Sequence, residues 1–404
     1  MTKKNIKPNK AFISTIIIGF LLYFLMLNIQ PCLPQILFDY NTWFNYMENS
    51  ALWRSLWVIG DPTEPFFHKT IFGGLFVTIG SFIAYVLDKR HSKFRGIPIS
   101  YGMGKIWPWI FCAALLSTGI AALLFGGLRF QEDAWSATFV PYVSVASAVI
   151  LVYGPRLATL LTGAILGAIF TTTIAIFIRL TIAIPTGLPG IIGNVSGMWI
   201  GGIITFEICR FMPWMVINPL QEKDISPSCV DGEISIAEYK IQKPNSFFVR
   251  RMIADYSEPM FVGNEIAGLC LVIGSCLSWV LNPFHPVYGT GLFPAILLSQ
   301  ILTGAIAIYV YWDNWIENDF FPTFVPIVSV APAMVLMFGD SMWIIIISSI
   351  LGAIACPAIA VMINEHIPKY WHGMVGFTAS MAICSCLVAI FLRYLVMAFP
   401  FLVA

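Results

Sequence analysis

Threonine, proline and serine recur at one spacing in two stretches, TFVPYVSVASAV from Thr138 and TFVPIVSVAPAM from Thr323. Thr138, Pro141 and Ser144 answer to Thr323, Pro326 and Ser329, 185 residues on. A proline lacks the backbone donor and clashes with the turn before it, so each stretch would free polar backbone groups. In an apolar setting those groups and the hydroxyls, with Ser147 added in the first copy, can take the place of water around a solute. A kinked helix whose serines and alanines allow close packing accounts for the same pattern without a ligand. If Pro141 opens a helix, 141–153 has only 13 residues. Its length of about 20 Å falls short of a hydrocarbon core of about 30 Å.

Other residue types that could handle a solute are few. Thr63-Glu64-Pro65 and Ser257-Glu258-Pro259 repeat the order hydroxyl, acid, proline. That order starts helices, with the acid at the positive end of the dipole; the alternative is a matched pair of gate or ion-coupling carboxylates. Arg210 and Arg393 are equivalent at an offset of 183. Near the ends of apolar segments they can snorkel to the interface, or mark two mouths used by an anionic solute. Glu207 lies one turn before Arg210, where the two can pair locally. Glu265, about two turns into an apolar segment, is a functional candidate if it sits in hydrocarbon, and Arg179 follows three threonines late in another. Asn194 heads the one N-x-S/T sequon, deep in an apolar run where glycosylation is not expected, and it joins the candidate substrate-binding residues.

Catalysis has little footing. The nine Cys show no CxxC pair and no Cys/His metal spacing. Metalloprotease, nucleophile-elbow, Walker and dinucleotide patterns are missing. No cofactor or metal is expected, and a net charge of +1 offers nothing to nucleic acid.

The elements that must position these residues follow from composition. The 404 residues are 58% hydrophobic and 11% charged, where soluble domains carry about 25% charge. Residues 11–30, 266–283 and 342–363 hold no charged side chain. Such runs read as membrane helices, and the polar–apolar alternation of a barrel is missing. Lys3, Lys4, Lys7 and Lys10 precede the first run like the start of a signal peptide, but the long run without a small-residue cleavage site reads as a retained anchor.

The chain also repeats itself. From Thr63 to Leu87, ten of 25 positions match those 194 residues later, and from Thr138 to Gly154, eleven of 17 match those 185 later. Matches in one order over so long a stretch indicate internal duplication. Each copy has five apolar segments: 66–88, 106–127, 134–153, 157–183 and 190–212, then 260–282, 289–311, 321–338, 342–363 and 373–395. Five is odd, so the second copy is expected upside down. Lys89, Arg90, Lys93, Arg95 and Lys105 fill a loop whose counterpart, 282–291, has no Lys or Arg. Lys369 answers a bare loop at 184–190, and Arg156 answers Asp340; Arg129 alone points the other way.

The expectation is an all-α polytopic membrane protein of about eleven helices, two inverted five-helix repeats plus an N-terminal helix, with the N-terminus inside. Its parts are 1–50 (first helix and extracytoplasmic linker), 51–214, a polar cytoplasmic connector at 215–250, and 251–404. Short loops fit a bacterial or archaeal cytoplasmic membrane. The plan resembles that of urea transporters, without their leucine-proline-rich signature, so the resemblance is architectural and carries over neither substrate nor residue. Paired inverted repeats suit a secondary permease or channel that moves a small molecule or ion near the midplane. The lipid bilayer is the other partner, and a homo-oligomer stays open. Two other readings stay open: an enzyme on a lipid substrate, which needs Glu365, His366 and His372 gathered near Glu207 or Asp224, and a structural subunit of a membrane complex.

Overall fold

Each long uncharged run forms one helix, as a chain deprived of water must satisfy its own backbone. The computed structural model describes residues 6–47, 50–97, 106–125, 137–217, 229–230 and 234–403; Lys3, Lys4, Lys105, Arg129 and Asp224 lie outside these. The helices are α1 (Asn9–Ile29), α2 (Tyr40–Met47), α3 (Ala51–Gly60), α4 (Ile71–Lys89), α5 (Trp107–Phe125), α6 (Val145–Tyr153), α7 (Leu157–Ile178) and α8 (Ile191–Phe211). There follow α9 (Ile236–Gln242), α10 (Pro244–Asp255), α11 (Glu265–Leu281), α12 (Phe293–Val310), α13 (Trp312–Glu317), α14 (Val330–Phe338), α15 (Met342–Asn364) and α16 (Met374–Ala398). Among the described residues, eight helices are long and apolar enough to cross a membrane: α1, α4, α5, α7, α8, α12, α15 and α16. The other three segments expected to cross are α11, with 17 residues, and α6 and α14, with nine each.

The short helices show what the prolines do. Helix α6 does not open at Pro141, nor α14 at Pro326, as the sequence suggested. Residues 137–144 and 323–329 form turns, closed by three-residue bonds such as Tyr142 N to Phe139 O (2.8 Å) and Ile327 N to Phe324 O (3.0 Å). Tight turns of this kind accept proline where an α-helix would not. The serines close each break: Ser144 Oγ donates to Val140 O (2.6 Å) and Ser329 Oγ to Val325 O (2.7 Å).

A second expectation is corrected at Thr63-Glu64-Pro65. These residues do not start α4, which begins at Ile71; they form a 3-10 turn over Asp61–Phe66. Thr63 Oγ1 donates to Gly60 O (2.9 Å) and accepts from Thr70 N (2.8 Å). Ser257 Oγ does the same with Ala254 O (3.0 Å) and Asn264 N (2.8 Å). The hydroxyl pins a turn that approaches the helix from the side, and the duplicated sequence builds that turn twice.

Packing repeats as well. Helix α5 packs on α6 and α7, and α7 on α8; α12 packs on α14 and α15, and α15 on α16. The two sets meet through α4 against α11 and α8 against α16. Along the first of these seams Gly73 faces Ser275, Gly80 faces Cys270 and Ala267, and Gly274 faces Phe72. Rising numbers on α4 meet falling numbers on α11, so two helices of equivalent sequence run antiparallel. Small residues at the crossing let the backbones approach closely.

Bonds near the helix ends fall into two groups. In one, Asn264 Nδ2 donates to Arg95 O (2.8 Å), Lys240 Nζ to Asn318 O (2.7 Å) and Tyr309 Oη to Asn9 Oδ1 (2.9 Å). In the other, Asn282 Nδ2 donates to Leu37 O (2.7 Å), Gln30 Nε2 to Gly291 O (3.2 Å) and Arg393 Nη1 to Thr186 O (3.2 Å).

Candidate substrate cavity

A cavity of about 870 Å³ opens between the two copies, inside the range of roughly 300–1,000 Å³ typical of small-molecule sites. Its wall is drawn in pairs from equivalent positions: Glu64 and Glu258, Pro65 and Pro259, Phe67 and Phe261, Phe139 and Phe324, Val143 and Val328, Met198 and Met381. Aromatic and aliphatic surface dominates. Polar groups are fewer: Tyr40, Asn41, Asn45, Arg179, Asn194, Tyr288, His372 and Thr378 join the two glutamates.

The duplicated turns bring the glutamates to this wall. Phe67 and Phe261 follow them at φ of 62° and 59°, a left-handed conformation rare for bulky side chains. Backbone strain of this kind tends to persist where it positions functional groups. Pro65 and Pro259 sit inside the turns, where their missing N–H is no loss, and Phe67 N closes onto Glu64 O as Phe261 N closes onto Glu258 O, both at 2.8 Å.

Behind each glutamate lies a buried ionic cluster. In the first copy, Lys69 pairs with Asp61 and lies 3.4 Å from Glu64 Oε2, while Tyr288 Oη donates to Glu64 Oε1 (2.8 Å). In the second, Arg251 pairs with Asp255 and donates to Glu258 Oε1 (2.7 Å), and Thr323 Oγ1 donates to Asp255 Oδ2 (3.1 Å). Burial pushes the Asp61 carboxyl up to about 6 against the pull of Lys69, and Asp255 up to about 7 against the pull of Arg251. Burial raises Glu258 too, and lowers His372 to about 4, which leaves a neutral imidazole on the wall at neutral pH.

The candidates from the sequence distribute unevenly. Asn194 lines the cavity, and its Oδ1 is buried without a hydrogen-bond donor. Thr323 stands one layer back, on Asp255. Thr138, Pro141, Ser144, Ser147, Pro326 and Ser329 are buried, and it is their neighbours Phe139, Val143, Phe324 and Val328 that face the space. Glu207 accepts from Tyr370 Oη (2.8 Å) and Trp371 Nε1 (3.0 Å), with Arg210 at 3.8 Å. Glu265 is held by Arg250 (2.6 Å) and by Ile97 N (2.7 Å). Arg393 donates to Thr186 O and Gly187 O. None of these last four is on the wall. Among the described residues no three His, Cys, Asp or Glu side chains gather to hold a metal ion.

The paired glutamates, read chiefly as helix starts, announced themselves only by their recurrence. Tyr288 carried no signal, and His372 stood out only as part of a possible lipid-enzyme cluster with Glu365 and His366, because loop folding alone brings both to the wall. No family model, no curated protein and no solved structure matches the chain.

Proposed function

We propose that the protein moves a small solute across the cell membrane as a secondary permease or channel, through the cavity shared by two copies inserted in opposite orientations. The observation that carries this reading is the wall itself, contributed in pairs by equivalent positions of a duplicated chain. Inverted-repeat transporters bind their cargo at such a repeat interface. Further support comes from the antiparallel course of α4 against α11. The two groups of end-to-end bonds also match the two sides that eleven crossings with an inside N-terminus require. A structural subunit would be expected to close its halves on a dry seam, and a space of about 870 Å³ speaks against one.

The wall favours an amphipathic solute. Aromatic rings take its apolar face. Arg251 occupies Oε1 of Glu258, which leaves Oε2 to accept, with Asn194 Oδ1, from N–H or O–H groups of the cargo. A thermal-stability screen of small metabolites on the detergent-purified protein tests this. A binding compound should lose about tenfold or more in affinity in Glu258→Gln, since a hydrogen bond to a charged group contributes about 1.5–3 kcal/mol, and about two- to tenfold in Asn194→Ala, where a neutral bond contributes about 0.5–1.5 kcal/mol. Stabilisation that survives both changes intact would remove the cavity as the binding site.

A further inference from the structure

The two buried clusters are alike in charge and unlike in how well they are satisfied. Each sets two carboxylates against one cation: Asp61 and Glu64 against Lys69, Asp255 and Glu258 against Arg251. With all groups ionised each carries one net negative charge, which is costly in a site sealed from water. In the second copy, Arg251 reaches both acids and Thr323 covers Asp255 Oδ2. The first copy lacks that coverage. Lys69 gives two of its three donors to Asp61 Oδ1 and Trp57 O (3.3 Å), and it lies 3.4 Å from Glu64 Oε2 without a hydrogen bond to it. Asp61 Oδ2 and Glu64 Oε2 are buried with no hydrogen-bond donor.

We propose that the Asp61–Glu64–Lys69 cluster is a proton-binding site that gates closure of the cavity, coupling solute movement to protons. The idea rests on the transport reading above. A proton joining the cluster converts one COO⁻ to COOH, removes one buried charge without a donor, and brings the cluster to neutrality. Glu64 stands on the cavity wall and Asp61 behind it, so a proton from cavity water meets Glu64 first. Once neutral, the cluster can be enclosed in a dry, closed cavity; while ionised it holds the cavity open to water.

The surroundings suit this role. Lys69 sits at φ 41° where the second copy has Gly263 at φ 60°, so a strained backbone is accepted to deliver an ammonium there. Its charge lies over the rings of Trp57 (4.1 Å) and Trp43 (5.8 Å). The other ionisable groups near the pair are Tyr288, bonded to Glu64, and Tyr142, which feels Asp61; Tyr40 and Arg179 act on Tyr288 in turn. His68 turns away, to Ser275 and Gln300. The Lys69 ammonium already lies against both acids, where a metal ion would have to sit.

Two readouts on the purified full-length protein test the proposal without knowledge of the solute. Infrared pH-difference spectra should show a protonated-carboxyl band that titrates near pH 6 and is lost or moved in both Asp61→Asn and Glu64→Gln. A cysteine at the wall, Met198→Cys, should react with maleimide at least tenfold faster above that pH than below it, relative to the exposed Cys32. In Met198→Cys/Glu64→Gln, where the site is permanently neutral, it should stay slow throughout. A band unchanged in both carboxyl variants overturns the proposal. So does maleimide labelling independent of pH or of Glu64, a result that would leave the cavity and the transport reading in place.

Discussion

Arg251→Leu is expected to destabilise the protein by about 3–5 kcal/mol, the loss seen when one partner of a buried ion pair is removed. Arg251 is fully buried, bound to Asp255 and Glu258 and stacked on Trp315 at 4.6 Å. Without it two carboxylates stay in the interior with no cation. That is a large share of a typical stability of 5–15 kcal/mol, so the purified protein should show a sharply lower unfolding midpoint. Because the loss comes from stranded charge, Arg251→Leu/Asp255→Asn/Glu258→Gln should recover most of it. A triple variant no more stable than the single one would mean that packing on Trp315, and not charge balance, holds this region.

Gly74→Val and Gly268→Val should each abolish folding. A Cβ on Gly74 would strike the carbonyl oxygen of Ile59, and one on Gly268 the carbonyl oxygen of Ile253. Both obstacles are backbone, and they are themselves equivalent at the offset of 194. Overpacking commonly costs 1–3 kcal/mol where side chains can yield; here α4 must move away from the end of α3, or α11 from the end of α10. Gly119→Val is the control, since nothing lies within 4 Å of its Cβ position. Monodisperse yield on gel filtration should collapse for the first two variants and hold for the third. Normal yield for Gly74→Val would show that α4 does not pack this closely on α3.

These two sites also show what the sequence could and could not tell. Helices were legible because uncharged runs of lipid length have few other folds open to them. The duplication was legible because Thr63 and Ser257 must make the same pair of bonds to close the same turn. The position of the helix breaks was not: proline marks a discontinuity, but the turn bonds before α6 and α14 decide that the helix waits for Val145 and Val330. The cations were hidden for a different reason. Lys69 aligns with Gly263, and Arg251 with Trp57. The two copies neutralise equivalent acids from non-equivalent positions, so a comparison of repeats passes over both. Arg210 and Arg393, which do align, are not on the cavity wall: Arg210 pairs with Glu207 one turn away, and Arg393 holds the backbone of the distant loop at Thr186 and Gly187.

A transport path shared by the two copies requires that they cross the membrane in opposite senses. Single cysteines at Lys93 and Thr290, both exposed and in equivalent loops, test this directly when labelled with a membrane-impermeant maleimide in intact cells and in inside-out vesicles. Lys93→Cys should react only in the vesicles and Thr290→Cys only in the cells. Reaction of both from the same side would contradict the inverted arrangement and take the shared transport path with it.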